Sequence, residues 1–279
     1  MEAVRLASFP RSGNTWTRYL LESATGLFTS AGGPTYFQYR NAAVSRNASM
    51  KGNTVESNRG TELSRMGFAG DLSSWTRGNT IVYKTHSLPE PWVVAGNERL
   101  PSDTAPFAPN STRRAILLIR DPFKACISLM YFSSSQSVLH TDGARAELFQ
   151  GPEWEQSVSF YARRWFAVNL QWLEATNATH VVMYEHLVRD PMYELRRMLR
   201  FLEVEPDPAR MECVRLHLEG RAHNKKHSVV PDNTTYPLPL RGLVWSQIHA
   251  LNLHLKDRGY RELPLEQYSF AGQFRDIGA

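Results

Sequence analysis

Apolar positions along the chain follow two rhythms. Short β-prone or unbroken apolar runs occur at Val4 to Phe9 (VRLASF), Thr80 to Lys84 (TIVYK), Ala115 to Ile119 (AILLI) and His180 to Tyr184 (HVVMY). Runs of that length predict strands, and an unbroken one such as AILLI predicts a strand covered on both faces. The second rhythm is helical. Trp16, Tyr19, Leu20, Ala24 and Leu27 recur at helical spacing, with Gly26 placed to stop the helix. A helix carrying Ala125, Ile127, Leu129 and Met130 follows AILLI, and Trp154, Val158, Tyr161, Trp165, Asn169 and Trp172 mark one face of a long helix. Further helices are predicted over Pro191 to Leu202, Ala209 to Leu218 and Leu240 to Leu255. Residues 29 to 79 are rich in Gly, Ser, Asn and Thr and weakly periodic, which predicts long loops with short helices, and the Pro-punctuated stretch 100 to 113 predicts another loop. Strands alternating with helices predict an α/β fold with a central, mostly parallel sheet and a helix-rich C-terminal half, in one domain over residues 1–279.

Composition narrows the class. The 279 residues are 42% hydrophobic, 11% aromatic and 21% charged, which suits an ordered globular core and excludes a disordered or collagen-like chain. Thirty-two Lys and Arg against 27 Asp and Glu leave a net charge of +5, enough to favour anionic ligands without forming the basic stripe of a nucleic-acid binder. The two cysteines, Cys126 and Cys213, cannot form a disulfide framework, although one bridge is open to them. No run approaches a membrane span, and the first residues read as a strand rather than a signal peptide, so no membrane contact is expected within the chain. Four Asn-x-Ser/Thr sequons, at Asn47, Asn110, Asn177 and Asn233, point instead to a glycoprotein of the secretory route.

Three segments carry chemistry. Ser8 to Arg18 (SFPRSGNTWTR) is a strand-to-helix junction, where backbone N–H groups and the helix dipole converge and Arg11, Ser12, Asn14 and Thr15 add donors. Such a site suits a tetrahedral oxyanion, but it lacks the second Gly and the Lys of a Walker loop. Lys84 and His86, in Tyr83-Lys84-Thr85-His86, fall at the carboxyl end of a strand, where open α/β sheets bind ligands; an imidazole there can take a proton and an ammonium can steady developing charge. Arg120, at the end of AILLI, and Ser128, eight positions on, form a second anion clamp. No metal-ligand spacing occurs among the nine His and two Cys.

In this order, SFPRSGNTW, KTH and IRDPFKACIS resemble the sulfotransferase superfamily, whose members transfer sulfonate from 3′-phosphoadenosine-5′-phosphosulfate (PAPS). With the Trp-rich EW…YARRW…WLE helix, VVMYEHL and Glu212-Cys213-Val214, the chain is most similar to the catalytic domain of WSC-domain-containing sulfotransferases, from about Leu6 to Tyr260. The resemblance implies a P-loop-like three-layer α/β/α fold. It implies that Arg11, Ser12, Gly13, Asn14, Thr15 and Trp16 hold the 5′-phosphosulfate, and that Arg120 and Ser128 hold the 3′-phosphate. His86 then stands as the base, with Lys84 and Arg11 steadying the transferring group, and Tyr184 lies near the adenine. Arg11 stands where the common loop has Lys. The Arg-Lys-Gly motif of cytosolic members is absent, and Lys225 and Lys226, with Arg221, are the expected substitutes. The expected reaction needs no metal and releases adenosine 3′,5′-bisphosphate. Its acceptor is a hydroxyl, expected on a glycan, sialylated glycans included, in the Golgi lumen, where Cys213 is expected to pair with another cysteine. A P-loop nucleotide phosphotransferase and a non-catalytic PAPS- or nucleotide-binding protein are the alternatives.

Overall fold

A computed structural model describes residues 4–30, 68, 80–86, 88–89, 93–94, 98–99, 113–134, 146–220 and 230–274. Five strands form one sheet: β1 (Val4–Ser8), β2 (Phe28–Ser30), β3 (Thr80–Thr85), β6 (Arg114–Ile119) and β7 (Ala178–Met183), with a two-residue ladder of β4 (Val93–Val94) and β5 (Glu98–Arg99) apart from it. Their order is β2-β3-β1-β6-β7 and every pair is parallel. Parallel pairing puts all the carboxyl ends of the strands at one edge, so the turns after Ser8, Thr85, Ile119 and Met183 are gathered there. Leu6 lies beside Lys84 on one side and Ile116 on the other, which sets the register of the three central strands.

Side-chain alternation divides the interior in two. Ala115, Leu117 and Ile119 pack with α2 (Pro122–Ser134), α3 (Gly151–Ala175) and α7 (Leu238–Asp257), while Ile116 and Leu118 pack with α1 (Asn14–Thr25), α4 (Tyr184–Arg189), α5 (Pro191–Leu202) and α6 (Pro208–Leu216). The result is three layers, helices on both faces of a sheet buried between them. Trp154, Trp165 and Trp172 of α3 and Trp245 of α7 are among the largest fully buried side chains, as the periodicity of the long helix requires.

Two boundaries differ from expectation. Phe28–Ser30 is an edge strand paired with β3, although it begins the stretch read as loops; at three residues with Phe28 exposed, it is too short to show alternation. The last strand ends at Met183, and Tyr184 opens α4 instead of closing β7. The cysteines are unbridged, Cys126 buried and Cys213 exposed with its Sγ 3.9 Å from Nδ1 of His217, so the expected pairing of Cys213 is not made within the described chain. A short α8 (Ala271–Phe274) ends the described residues. Among them, no helix is long and apolar enough to cross a membrane and no group of three potential metal ligands occurs.

Candidate active site

The β1–α1 junction turns through two left-handed residues, Arg11 at φ 65° and Gly13 at φ 98°. Gly13 is the N-cap of α1 and supplies no side-chain cap, so the first N–H groups of the helix are not taken up by a capping oxygen. Ser12 is fully buried and its Oγ has no partner among the described residues. Asn14 is turned inward: its Nδ2 donates to Ser8 Oγ at 2.8 Å and to the Leu6 carbonyl at 3.4 Å, so its amide fastens the helix start to β1. Thr15 is half-buried on the first turn. Trp16 donates its indole N–H to the Leu218 carbonyl at 2.7 Å and meets the Tyr184 ring edge-on, with centroids 6.3 Å apart.

Arg120 comes from the tip of β6 and is braced on several sides. Its NH1 donates to the Arg11 carbonyl at 2.6 Å, its guanidinium lies 4.6 Å from the Tyr184 ring centroid, and its own carbonyl accepts from Trp165 Nε1 at 3.0 Å. Its Nε is buried without a partner among the described residues. Arg11 in turn donates from Nε to Ser128 Oγ at 3.1 Å and lies over Phe132. The tips of β1 and β6 and helix α2 are thus joined by two guanidinium groups, and Tyr184 fills the space beside Gly13 that a Cβ would need.

His86 follows β3 on the next strand over. Its Nδ1 is 3.0 Å from the Ser8 carbonyl, which can only accept, and 3.2 Å from Ser8 Oγ. That places the proton on Nδ1 and leaves Nε2 with a lone pair. Burial holds its pKa down to about 3, helped by the charges of Lys84 and Arg11 and opposed by the bond to Ser8, so the imidazole is neutral through the physiological range. Lys84 is half-buried near it.

Arg11, Ser12, Gly13, Asn14, Thr15, Trp16, Lys84, His86, Arg120, Ser128 and Tyr184 are therefore gathered at the carboxyl edge of the sheet, although Asn14 and Trp16 spend their side chains on other parts of the protein. Lys225, Lys226 and Arg221 lie outside the described residues. Ser8, Asp121 and Glu185 are additional. Ser8 stood inside the first motif without a role. Asp121 comes directly after Arg120 and is fully buried; it accepts from Phe123 N, Ser269 N and Ser269 Oγ, with Lys124 at 3.6 Å.

A family model described as the sulfotransferase domain matches residues 2–229. The chain belongs to the sulfotransferase family. Two insect relatives of this sulfotransferase-family chain are similar over 222 residues, or 79% of it: a WSCD family member of Drosophila pseudoobscura pseudoobscura at 33% identity and one of Drosophila melanogaster at 32%. The match takes in 57% and 56% of those proteins, so the chain spans little more than half the length of the curated relatives it matches. Among solved structures, mouse sulfotransferase SULT7A1 complexed with PAP shares the fold, with a TM-score of 0.52 at 16% identity over 92% of this chain and 88% of that one.

Proposed function

We propose that the chain is a catalytic domain that transfers a sulfonate group from PAPS to an acceptor hydroxyl by in-line displacement, with His86 as the base. The reading is carried by one observation: anion-binding groups from the tips of β1 and β6 converge beside an imidazole whose Nε2 is open. The buried Ser12 Oγ and Arg120 Nε have no partners within the described protein, and phosphate oxygens are the acceptors such donors suit. The loop from Arg11 to Trp16, with the uncapped start of α1, would take the 5′-phosphosulfate, and Arg120 with Ser128 the 3′-phosphate, as two anionic ends of one donor. SULT7A1, which shares the fold, was solved with PAP, and this supports a PAPS donor.

PAPS, when bound, supplies an electrophilic sulfur and leaves as adenosine 3′,5′-bisphosphate. The acceptor oxygen forms its bond to sulfur as the bridging S–O bond breaks, and the hydroxyl proton passes to His86 Nε2. Lys84 and Arg11 place positive charge beside the transferring oxygens, and Asn14, through Ser8, holds the imidazole in its tautomer. The acceptor is proposed to be a glycan hydroxyl, sialylated glycans included, in the Golgi lumen; the exposed sequon residues Asn177 and Asn233 suit a chain of the secretory route.

The test is incubation of labelled PAPS with a mixed panel of glycans and phenols, beside His86→Ala. The variant should retain adenosine 3′,5′-bisphosphate binding and lose roughly 10²- to 10⁴-fold in turnover. Transfer by the variant at the wild-type rate would falsify the base assignment, and an absence of transfer to every acceptor, with binding intact, would leave a nucleotide-binding protein.

A further inference from the structure

Next to the peptide that follows Arg120 stands a carboxyl group that the proposed reaction does not use. Glu185 is the second residue of α4, directly after the Tyr184 ring that underlies the Arg120 guanidinium. Its Oε1 accepts from the backbone N–H of Asp121 at 3.0 Å, so it grips the peptide that joins Arg120 to Asp121. Its Oε2 is buried and has no partner among the described residues, as is true of Arg120 Nε. The charge of Arg120 nevertheless acts on the Glu185 carboxyl, and each group keeps one buried polar atom without a partner among the described residues.

We infer that Glu185 positions Arg120 and that its ionisation competes with an anionic ligand for that guanidinium. With the carboxyl neutral, the charge of Arg120 is open to a phosphate; with it ionised, the guanidinium is partly neutralised and a second negative charge opposes the incoming anion. The inference rests on the reading of Arg120 as a phosphate contact.

The surroundings put this switch in a useful range. Burial, then the carboxylate of Asp121 on the β6–α2 turn, raise the pKa of Glu185 to about 7, against the pull of the Asp121 N–H and the charge of Arg120. Tyr268, on the C-terminal segment, is also within its electrostatic reach, with its phenol held well above the ordinary value and so neutral. Lys124 is engaged by Asp121, and His186, next on α4, is held below its usual pKa mainly by burial. The sign is fixed by linkage. A bound anion favours protonated Glu185, so affinity falls as pH rises through the pKa of the carboxyl, and binding takes up protons near neutrality.

The probe is adenosine 3′,5′-bisphosphate, titrated calorimetrically against the whole chain and Glu185→Gln at pH 6 and pH 8. The amide keeps an acceptor for Asp121 N–H but cannot ionise. Because the ligand's own phosphate titration cancels in the ratio, the Kd of wild type over that of Glu185→Gln should rise roughly three- to tenfold between the two pH values. A structural role alone leaves that ratio flat, and a flat or falling ratio overturns the inference. Should the variant not fold, wild-type titrations at pH 7.5 in buffers of different ionisation enthalpy decide the matter: net proton uptake supports it, and zero uptake or release overturns it. If wild type fails to bind the nucleotide at either pH, the donor reading itself falls and takes this inference with it, a result distinct from binding with a flat ratio.

Discussion

A Cβ built on Gly13 would stand 2.5 Å from Cε2 and 2.6 Å from Cδ2 of Tyr184, at a backbone φ of 98° that L side chains rarely adopt. Both penalties fall on the same residue, and relief requires moving the ring that underlies Arg120. Gly13→Ala should therefore cost about 1–3 kcal/mol of stability and also weaken nucleotide binding. Thermal unfolding and titration with adenosine 3′,5′-bisphosphate measure the two effects, and an alanine variant with wild-type affinity would show that the ring is not a fixed part of the cradle. At this scale, much of the site was legible in advance. Gly13, Arg11, His86 and Arg120 stood at strand ends, but only the order of the three motifs and the family resemblance gathered them into one expected site. Asn14 and Trp16 show the limit. Each is a donor by type, but which acceptor it meets depends on Ser8 and on the distant Leu218 carbonyl, which no local spacing encodes.

Among the elements, β6 and its turn do the most to position the site. Strand burial on both faces made AILLI readable, and Pro191–Leu202 came out with the predicted bounds because Asp190, Pro191 and a strong apolar face mark its start and course. The strand Phe28–Ser30 was hidden, since an edge strand of three residues has no period to display. The burial of Asp121 was hidden for a related reason: its partner Ser269 is 148 positions away, and only the packing of the C-terminal segment brings them together. Asp121→Ala would leave the N–H groups of Phe123 and Ser269 and the Ser269 hydroxyl without their acceptor. Each buried donor so stranded costs about 1–3 kcal/mol, so the variant should unfold at markedly lower denaturant concentration. Asp121→Asn, which retains one acceptor oxygen, should fall between it and wild type.

For the molecule as a whole, buried histidines and one buried carboxyl among the described residues set opposing slopes of stability with pH. His86 is held to about 3 and His180 to about 4, both mainly by burial. Below the ordinary histidine pKa the unfolded chain binds protons that the folded one refuses, so both remove stability as pH falls from about 6.5 toward those values. Glu185, raised to about 7, acts in the other direction: the folded chain keeps a proton that the unfolded chain releases above the ordinary carboxyl pKa, so its penalty is relieved on acidification. His186 is held below its ordinary value as well, mainly by burial, and three histidines against one carboxyl predict a lower unfolding temperature at pH 5 than at pH 7. The drop should steepen in Glu185→Gln, where the counterweight is gone. An equal slope in wild type and variant, read by calorimetric scans across that range, would mean that Glu185 does not titrate there.

The hydrogen bonds from Ser269 to Asp121 also bear on where the protein can be cut. The matched family span stops at residue 229, yet the anchor for the residue next to Arg120 arrives forty positions later. An expression fragment trimmed to that span would discard α7, uncover the side of α3 that α7 packs against, and take from Asp121, the neighbour of the proposed phosphate contact Arg120, its Ser269 donors in the same stroke. Inactivity of such a fragment would then report a missing brace, not a missing reactive group.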